Sequence, residues 1–343
     1  MPIIGLNLGK SGFKAVEIDK KKNTYTLTHF GIYDSPELDL YTEKKEERKA
    51  YSKALENFVN EQGFDSRNAV IGLEEANVYM RIVELPVMKD KELRNAIRFE
   101  AEQYIPLPLE EVNITYQKLE GGYISRDKTS IQLVAAKKSI LDMYVKTIKS
   151  ARLVAKAIEP EAVALGRILG DTSTVPNGTI IMDIGYYSTI VVVVYGGAVQ
   201  FTRSVPVGGD VITKAIKQSL NLDVNQSEEY KKVYGMDSQY ADGKVSEIIK
   251  PMIDNILIEV KRASVFFTNH TPSATIKKVV ITGGSALMPG LLLYIASNLD
   301  FEVQTATPFH NIQISPQLEN EKKFLYEREP LFSTAVGLAM KEL

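Results

Sequence analysis

The sequence predicts an α/β fold made of two related, β-rich lobes. Internal repetition is the first reason. Residues 3–18 (IIGLNLGKSGFKAVEI) overlay residues 180–194 (IIMDIGYYSTIVVVV), so that Asn7 falls on Asp183, Gly9 on Gly185 and Lys14 on Ile190. In both copies an apolar strand reaches a polar or acidic residue, turns through glycine and continues as a second strand. A further β-rich stretch follows each copy, at 24–33 and at 198–207. The second reason is that strand and helix patterns alternate through the rest of the chain. The third is size: 343 residues, 44% of them apolar, suffice for two domains or one bilobed unit with a large core.

Residues 45–62 place Tyr51, Leu55, Phe58 and Val59 at helical spacing and end at Gly63. Strands are predicted at 68–73 and 78–85, the second stopped by Pro86. Residues 90–104 form an amphipathic helix with Leu93, Ile97 and Ala101 on one face, and the prolines of IPLPL end it. Strands at 112–119 and 129–136 precede a helix at 139–151. A long helix is predicted at 247–267, a buried strand at 277–282 with a helix at 287–299 behind it, and a closing helix at 331–341. No low-complexity linker separates the halves.

Composition excludes several functions. The formal charge is −2 and no long basic stripe occurs, so no nucleic-acid partner is expected. There is no cysteine, which removes disulfides, thiolate catalysis and Cys-based metal centres. His29, His270 and His310 are too widely spaced to suggest a His-based metal site. The N-terminus lacks the pattern of a secretory signal, and the apolar run at 190–195 is far shorter than the ~20 residues that span a bilayer. A soluble, cytoplasmic protein is expected.

Four glycine-containing turns could hold a nucleotide, because backbone N–H groups approach a ligand closely where no Cβ intervenes. The first, GKSGFK at 9–14, lacks the glycine spacing of a P-loop. The second, DIGYYST at 183–189, adds an acid able to hold Mg²⁺ through water. The third, VGGD at 207–210, opens a predicted helix whose N–H groups could face an anion. The fourth, VVITGGSALMPGL at 279–291, ends a buried strand in Gly283–Gly284, where a flat ring could lie against the backbone. Each also has an ordinary explanation: a tight hairpin, a turn-capping acid, or a strand-to-helix turn.

Taken in order, these motifs resemble the phosphate-1, phosphate-2 and adenosine motifs of the actin/Hsp70/sugar-kinase superfamily, over nearly the whole chain. That resemblance implies an actin-like, RNase H-like duplicated two-lobed fold binding ATP or ADP with Mg²⁺. By it, Gly9, Lys10, Ser11, Gly12 and Lys14 line the phosphates from lobe I. Gly185, Tyr186, Tyr187, Ser188 and Thr189, with Gly208 and Gly209, do so from lobe II. Gly283, Gly284, Ser285 and Met288 flank the adenosine, and Glu259 and Arg262 fall on a helix along the nucleoside. A surface ion pair is the alternative account of Glu259 and Arg262.

The stretch VELPVMKDKELRNAIRFEAEQYIPLPLEEV (83–112) closely resembles a segment of the PilM family of type IV pilus assembly proteins. That family, like the FtsA branch beside it, carries a small inserted α+β subdomain called 1C. The implied organisation is lobe I at 1–84, the insert at 85–155, a return to lobe I at 156–175 and lobe II at 176–330. Within lobe II a 2B part lies at about 210–270, and 331–343 is a C-terminal helix packing back on lobe I. The resemblance implies that the insert grips the N-terminal cytoplasmic tail of PilN, with Arg98, Glu102 and Tyr104 as candidate lining residues. It also implies contact with the pilus motor ATPases, and membrane association only through PilN.

One feature departs from the superfamily, and it bears on hydrolysis. Asn7 stands where an aspartate usually begins the first phosphate motif, which weakens metal binding and leaves Asp183 as the main acid. Glu159, in IEPEAVAL, stands where Hsp70-like members carry a glutamate near the γ-phosphate, although a turn acid before a helix would look the same. The expectation is tight ATP binding with slow or no hydrolysis, the nucleotide acting as a clamp. The alternatives are an FtsA-like division tether, disfavoured by the chain ending at GLAMKEL without a membrane-targeting tail; a small-molecule kinase; and a nucleotide-free scaffold.

Overall fold

The structure, a computed structural model, describes residues 2–9, 12–22, 24–34, 39–119, 127–171, 173, 177–272 and 274–342. In chain order the first half contains β1 (Ile3–Gly9), β2 (Gly12–Lys21), β3 (Thr24–Asp34), α1 (Lys45–Glu61), β4 (Asn68–Leu73), β5 (Val78–Pro86), α2 (Asp90–Tyr104), β6 (Val112–Lys118), β7 (Lys128–Lys137), α3 (Lys138–Ser150), β8 (Val154–Pro160) and α4 (Glu161–Leu169). The second half contains β9 (Gly178–Ile184), β10 (Thr189–Tyr195), β11 (Ala198–Val205), α5 (Gly209–Leu220), α6 (Val224–Val233), α7 (Lys244–His270), β12 (Ile276–Thr282), α8 (Leu291–Asn298) and β13 (Glu302–Thr305). It closes with β14 (Gln313–Ile314), α9 (Lys322–Glu327) and α10 (Ser333–Ala339).

Lobe I is a sheet of order β14-β3-β2-β1-β4-β8, and lobe II a sheet of order β11-β10-β9-β12-β13. The repeat seen in the sequence is a repeat in space. β1 and β2 form an antiparallel hairpin in which Asn7 opposes Lys14, and β9 and β10 form another in which Asp183 opposes Ile190. In both lobes the first hairpin strand then pairs in parallel with a later strand, β1 with β4 and β9 with β12. The central strands are buried and read as continuous apolar runs, as parallel strands covered on both faces do.

Where the structure departs from the predicted elements, backbone chemistry is the reason. The helix predicted from residue 287 begins at Leu291, because Pro289 and Gly290, at φ +71°, interrupt the chain after a short 3₁₀ turn. The closing helix begins at Ser333, after a 3₁₀ turn containing Pro330.

A third sheet, β5-β7-β6, carries α2 on one face, with Val83, Leu85, Leu93, Ile97, Ala101 and Leu133 in its own core. It begins at Val78 and its last strand ends at Lys137. The following helix, α3, buries Tyr144 and Ile148 among lobe I residues such as Tyr51 and Leu55. The third sheet also touches lobe II. The Gln132 side-chain amide donates to the Val199 carbonyl at 3.0 Å, and Met80 packs with Val192, Val194 and Val199.

Helices α4 and α10 lie between the lobes and cross in backbone contact. A Cβ on Gly337 would stand 2.1 Å from the Ala164 carbonyl oxygen, so only glycine lets them approach this closely.

Candidate functional site

The parallel strands β1, β4 and β8 of lobe I and β9 and β12 of lobe II end at one cleft of about 1380 Å³. Ligand sites of open α/β sheets form at such carboxyl ends. The strand ends supply the chemistry: Asn7 from β1, Glu74 and Glu75 just after β4, Glu161 just after β8, Asp183 from β9, and Gly283–Gly284 after β12. Lys14 reaches in from β2, and Gly9, Gly185, Tyr186, Tyr187, Ser188, Gly209, Ser285 and Met288 complete the part of the lining that sequence reasoning named.

The floor of the cleft is crowded with carboxyl groups. Burial raises Asp183 to about 6, with Lys14 acting in the opposite sense. Glu161 is held well above the ordinary carboxyl range by burial first, then by Glu74, Asp183 and Glu75. Its Oε1 accepts a hydrogen bond from Asn7 Nδ2 at 3.0 Å. Burial raises Glu75 to about 7, partly offset by a hydrogen bond with Thr202 of lobe II, and its Oε2 has no hydrogen-bond partner among the described residues. A buried carboxyl oxygen without a partner, beside further acids opposed by Lys14, is the donor chemistry that a hard divalent cation neutralises. The residues therefore fit Mg²⁺.

These shifts make stability depend on pH. Glu75 rises from 4.5 unfolded to about 7 folded, so between those values the folded state binds more protons and stability falls as pH rises. At ~1.4 kcal/mol per unit this amounts to ~3 kcal/mol at most. Glu75→Gln is expected to raise unfolding stability by about 1–2 kcal/mol at pH 8, and to change it little below pH 4.5, read from denaturant midpoints without metal or nucleotide. Equal effects at both pH values would refute the assignment.

Several predicted residues take other roles. Glu159 does not line the cleft. Its Oε1 and Oε2 accept from Arg167 at 2.6 and 2.9 Å, and Lys341 Nζ lies 2.6 Å from Oε2, an ion-pair network on the side of the sheet covered by α4 and α10. Two residues on, Glu161 begins α4 and lines the cleft, so the acid that this segment presents to the cleft is Glu161 and not Glu159. Gly209 does not offer a free N–H group at the α5 N-terminus as predicted. Gly209 N–H donates to the Gly185 carbonyl at 2.9 Å and Asp210 N–H to that of Tyr186 at 2.8 Å, which pins the turn between β9 and β10 in place. Gly208 packs against that turn, since its Cβ would lie 2.5 Å from the Tyr186 oxygen. Thr189 is buried, donating to the Val207 carbonyl at 2.7 Å. Gly12, at φ +134°, is required by the Tyr33 carbonyl, 1.8 Å from where a Cβ would sit. Lys10 and Ser11 lie outside the described residues.

Glu259 and Arg262 also lie away from the cleft. They pair at 2.5 Å on the exposed side of α7, with Arg203 3.4 Å from Glu259. The helices of lobe II beside the cleft include α5 and α6. On α6, Lys231, buried and with its pKa lowered chiefly by burial, donates to Glu228 Oε2 at 2.6 Å, Thr213 Oγ1 at 2.9 Å and the Gly209 carbonyl at 3.2 Å. The segment SEEYKK gave this signal, an acid and a lysine at i and i+3 after an Asp223 capping box, but the longer α7 carries a similar pair. Glu74 and Glu75 also went unnamed in the sequence, although they stand as paired acids at the end of a predicted strand. Arg98, Glu102 and Tyr104 all lie on exposed positions of α2, with the Arg81 guanidinium 3.8 Å above the Tyr104 ring.

Two lobes, each presenting a hairpin and acid-bearing strand ends to a shared cleft, define an actin-like protein. A family model described as type IV pilus assembly protein PilM matches residues 5–343, and the chain belongs to that family. The solved PilM-PilN type IV pilus biogenesis complex contains a chain of 25% identity and TM-score 0.83, with 98% of this chain and 97% of that one covered. MreB5 of Spiroplasma citri bound to ADP shares the fold, at 13% identity and TM-score 0.53, over 98% of this chain and 94% of its own. Among curated proteins, the cell division protein FtsA of Bacillus subtilis is 22% identical over 388 residues, covering 98% of this chain and 82% of the relative. FtsA of Neisseria meningitidis is 23% identical over 230 residues, covering 61% of this chain, which spans about half (53%) of that relative's length.

Proposed function

We propose that the chain is an actin-like scaffold of the type IV pilus assembly platform that binds ATP or ADP with Mg²⁺ in the cleft and the N-terminal cytoplasmic tail of PilN on the third sheet and α2. The observation that supports the nucleotide most directly is the carboxyl-rich floor at the strand ends, opposed by Lys14. Lys14 would bind phosphate oxygens, and Asp183 would hold the cation through water. Glu228 and Lys231 present a fixed donor and acceptor pair to the nucleoside end of the cleft, beside Gly284, Ser285 and Met288. The Mg²⁺, when bound, neutralises phosphate charge.

Hydrolysis requires a group that orients or deprotonates water. Glu161 is the candidate by position, but burial and neighbouring acids favour its protonated form, and Asn7 already engages Oε1. We therefore expect slow turnover or none, with the nucleotide holding the two lobes at a fixed angle.

On the partner side, α2 offers Arg98, Glu102 and Tyr104 together with Phe99, which is 64% exposed. Extended tails bind such surfaces through main-chain hydrogen bonds and a few apolar pockets. Because the third sheet is tied to lobe II through Gln132 and Met80, a change in lobe angle would reach the partner surface. Among the described residues no helix is long and apolar enough to cross a membrane. The reading places the protein in the cytoplasm at the inner face of the membrane through PilN, with the motor ATPases as further partners.

The test is calorimetric titration of the purified chain with a synthetic PilN N-terminal peptide, with and without Mg-ATP. Peptide affinity is expected to change with nucleotide, and ATP affinity to change by the same factor with peptide, as linkage requires. Nucleotide binding without peptide binding would overturn the partner. Absence of nucleotide binding would overturn the cleft reading.

A further inference from the structure

A second cluster of metal-ligating side chains lies in lobe I, away from the cleft. It joins Glu17 of β2, His29 of β3 and Asp65, in the segment before β4. One carboxylate oxygen from each acid and a ring nitrogen of the histidine lie within 4.8 Å of one another. A β-bulge builds it. The β2–β3 register shifts between Glu17 and Ile18, so Glu17 opposes His29, Ile18 opposes Leu27, and Thr28 is the extra residue. Bulges re-aim side chains in this way. The strand β4 starts beside this cluster, at Asn68, and its opposite end delivers Glu74 and Glu75 to the cleft.

We propose that Glu17, His29 and Asp65 form a site for a divalent transition-metal ion, with zinc the cation it fits. One imidazole and two carboxylates are a zinc-type ligand set that leaves a fourth position for water. His29 Nδ1 lies 3.0 Å from Glu17 Oε1, close to the roughly 3.3 Å that separates two ligands at ~2.0 Å from one tetrahedral ion. The outer groups that orient ligands are also in place. Ser66 N–H donates to Glu17 Oε2 at 2.6 Å and Thr28 Oγ1 donates to Oε1 at 2.6 Å. Asp65 adds a third ligand atom to the Glu17–His29 pair, within 4.8 Å of both, which a plain ion pair does not call for. The bound ion would join β2, β3 and the approach to β4. Sequence reasoning dismissed a metal site because the histidines are far apart, but two of the three ligands are carboxylates from other segments.

The test uses the full chain, stripped of metal and saturated with Mg-ATP to occupy the cleft carboxylates. Zinc is titrated against a competing chromophoric chelator, and cobalt substitution reports four-coordinate geometry by absorption. One equivalent of zinc is expected. Asp65→Asn, at an exposed position, and His29→Gln should each weaken binding by tenfold or more. If His29→Gln fails to fold, Asp65→Asn decides the matter. Absence of stoichiometric zinc, or zinc bound as tightly by Asp65→Asn as by the unaltered chain, would overturn the proposal.

Discussion

Asp183→Asn is expected to weaken Mg-nucleotide binding by about tenfold to a hundredfold and to abolish most of its dependence on magnesium. A charge-assisted interaction is worth ~1.5–3 kcal/mol, and 1.4 kcal/mol is a factor of ten. Asp183 sits at the end of β9, with Gly283 packed against it so closely that a Cβ would stand 2.4 Å from Oδ1. The carboxyl is therefore held in position before any ligand arrives. The same substitution should not destabilise the apo protein above pH 6, because it removes a carboxylate whose ionisation burial opposes. Fluorescent-nucleotide binding with and without EDTA checks the first expectation, and denaturant midpoints at pH 5 and 8 check the second. Unaltered Mg-ATP affinity in the variant would remove Asp183 from the site.

Arg167→Ala should cost about 1.5–3 kcal/mol of folding stability, the range for hydrogen bonds to charged groups, since Arg167 is half-buried and Lys341 stays with Glu159. Arg167 grips both oxygens of Glu159 and donates to the Gly337 carbonyl at 2.5 Å, tying β8, α4 and α10 together. Lys341 alone would remain for Glu159, which is nearly inaccessible to solvent. Glu159→Gln should likewise lower the unfolding midpoint while leaving nucleotide affinity of the folded protein unaltered. Glu161→Gln should do the reverse, altering nucleotide binding while raising stability at pH 8. A Glu159→Gln protein that is stable but no longer binds nucleotide would restore Glu159 to the cleft.

Much of the architecture was legible because it depends on local chemistry. The duplicated hairpins follow from alternating apolar residues around Gly9 and Gly185. The helix at Asp90–Tyr104 was placed residue for residue, since its apolar face has clean helical spacing and prolines follow it. Asn7, Lys14, Asp183 and Gly283–Gly284 were found because strand ends with acids or glycine carry a short-range signature.

What escaped the sequence was every choice between two chemically equivalent residues. Glu159 and Glu161 differ by two positions, and only the turn from β8 into α4 sends one to Arg167 and the other to the cleft. The pairs on α6 and α7 look alike as strings, and only packing decides that Lys231 and Glu228 border the cleft while Glu259 and Arg262 face outward. Gly208 and Gly209 read as an open anion site, yet the N–H of Gly209 and that of Asp210 are taken by carbonyls of a turn more than twenty residues earlier. The sequence by itself determined the two-lobed fold and the turns at Asp183 and Gly283–Gly284, because periodicity and turn chemistry act over a few residues, and the family through the resemblance of residues 83–112. Tertiary structure alone decided which charges meet, because an ion pair or a hydrogen bond depends on distances of about 3 Å between segments that lie far apart in the chain.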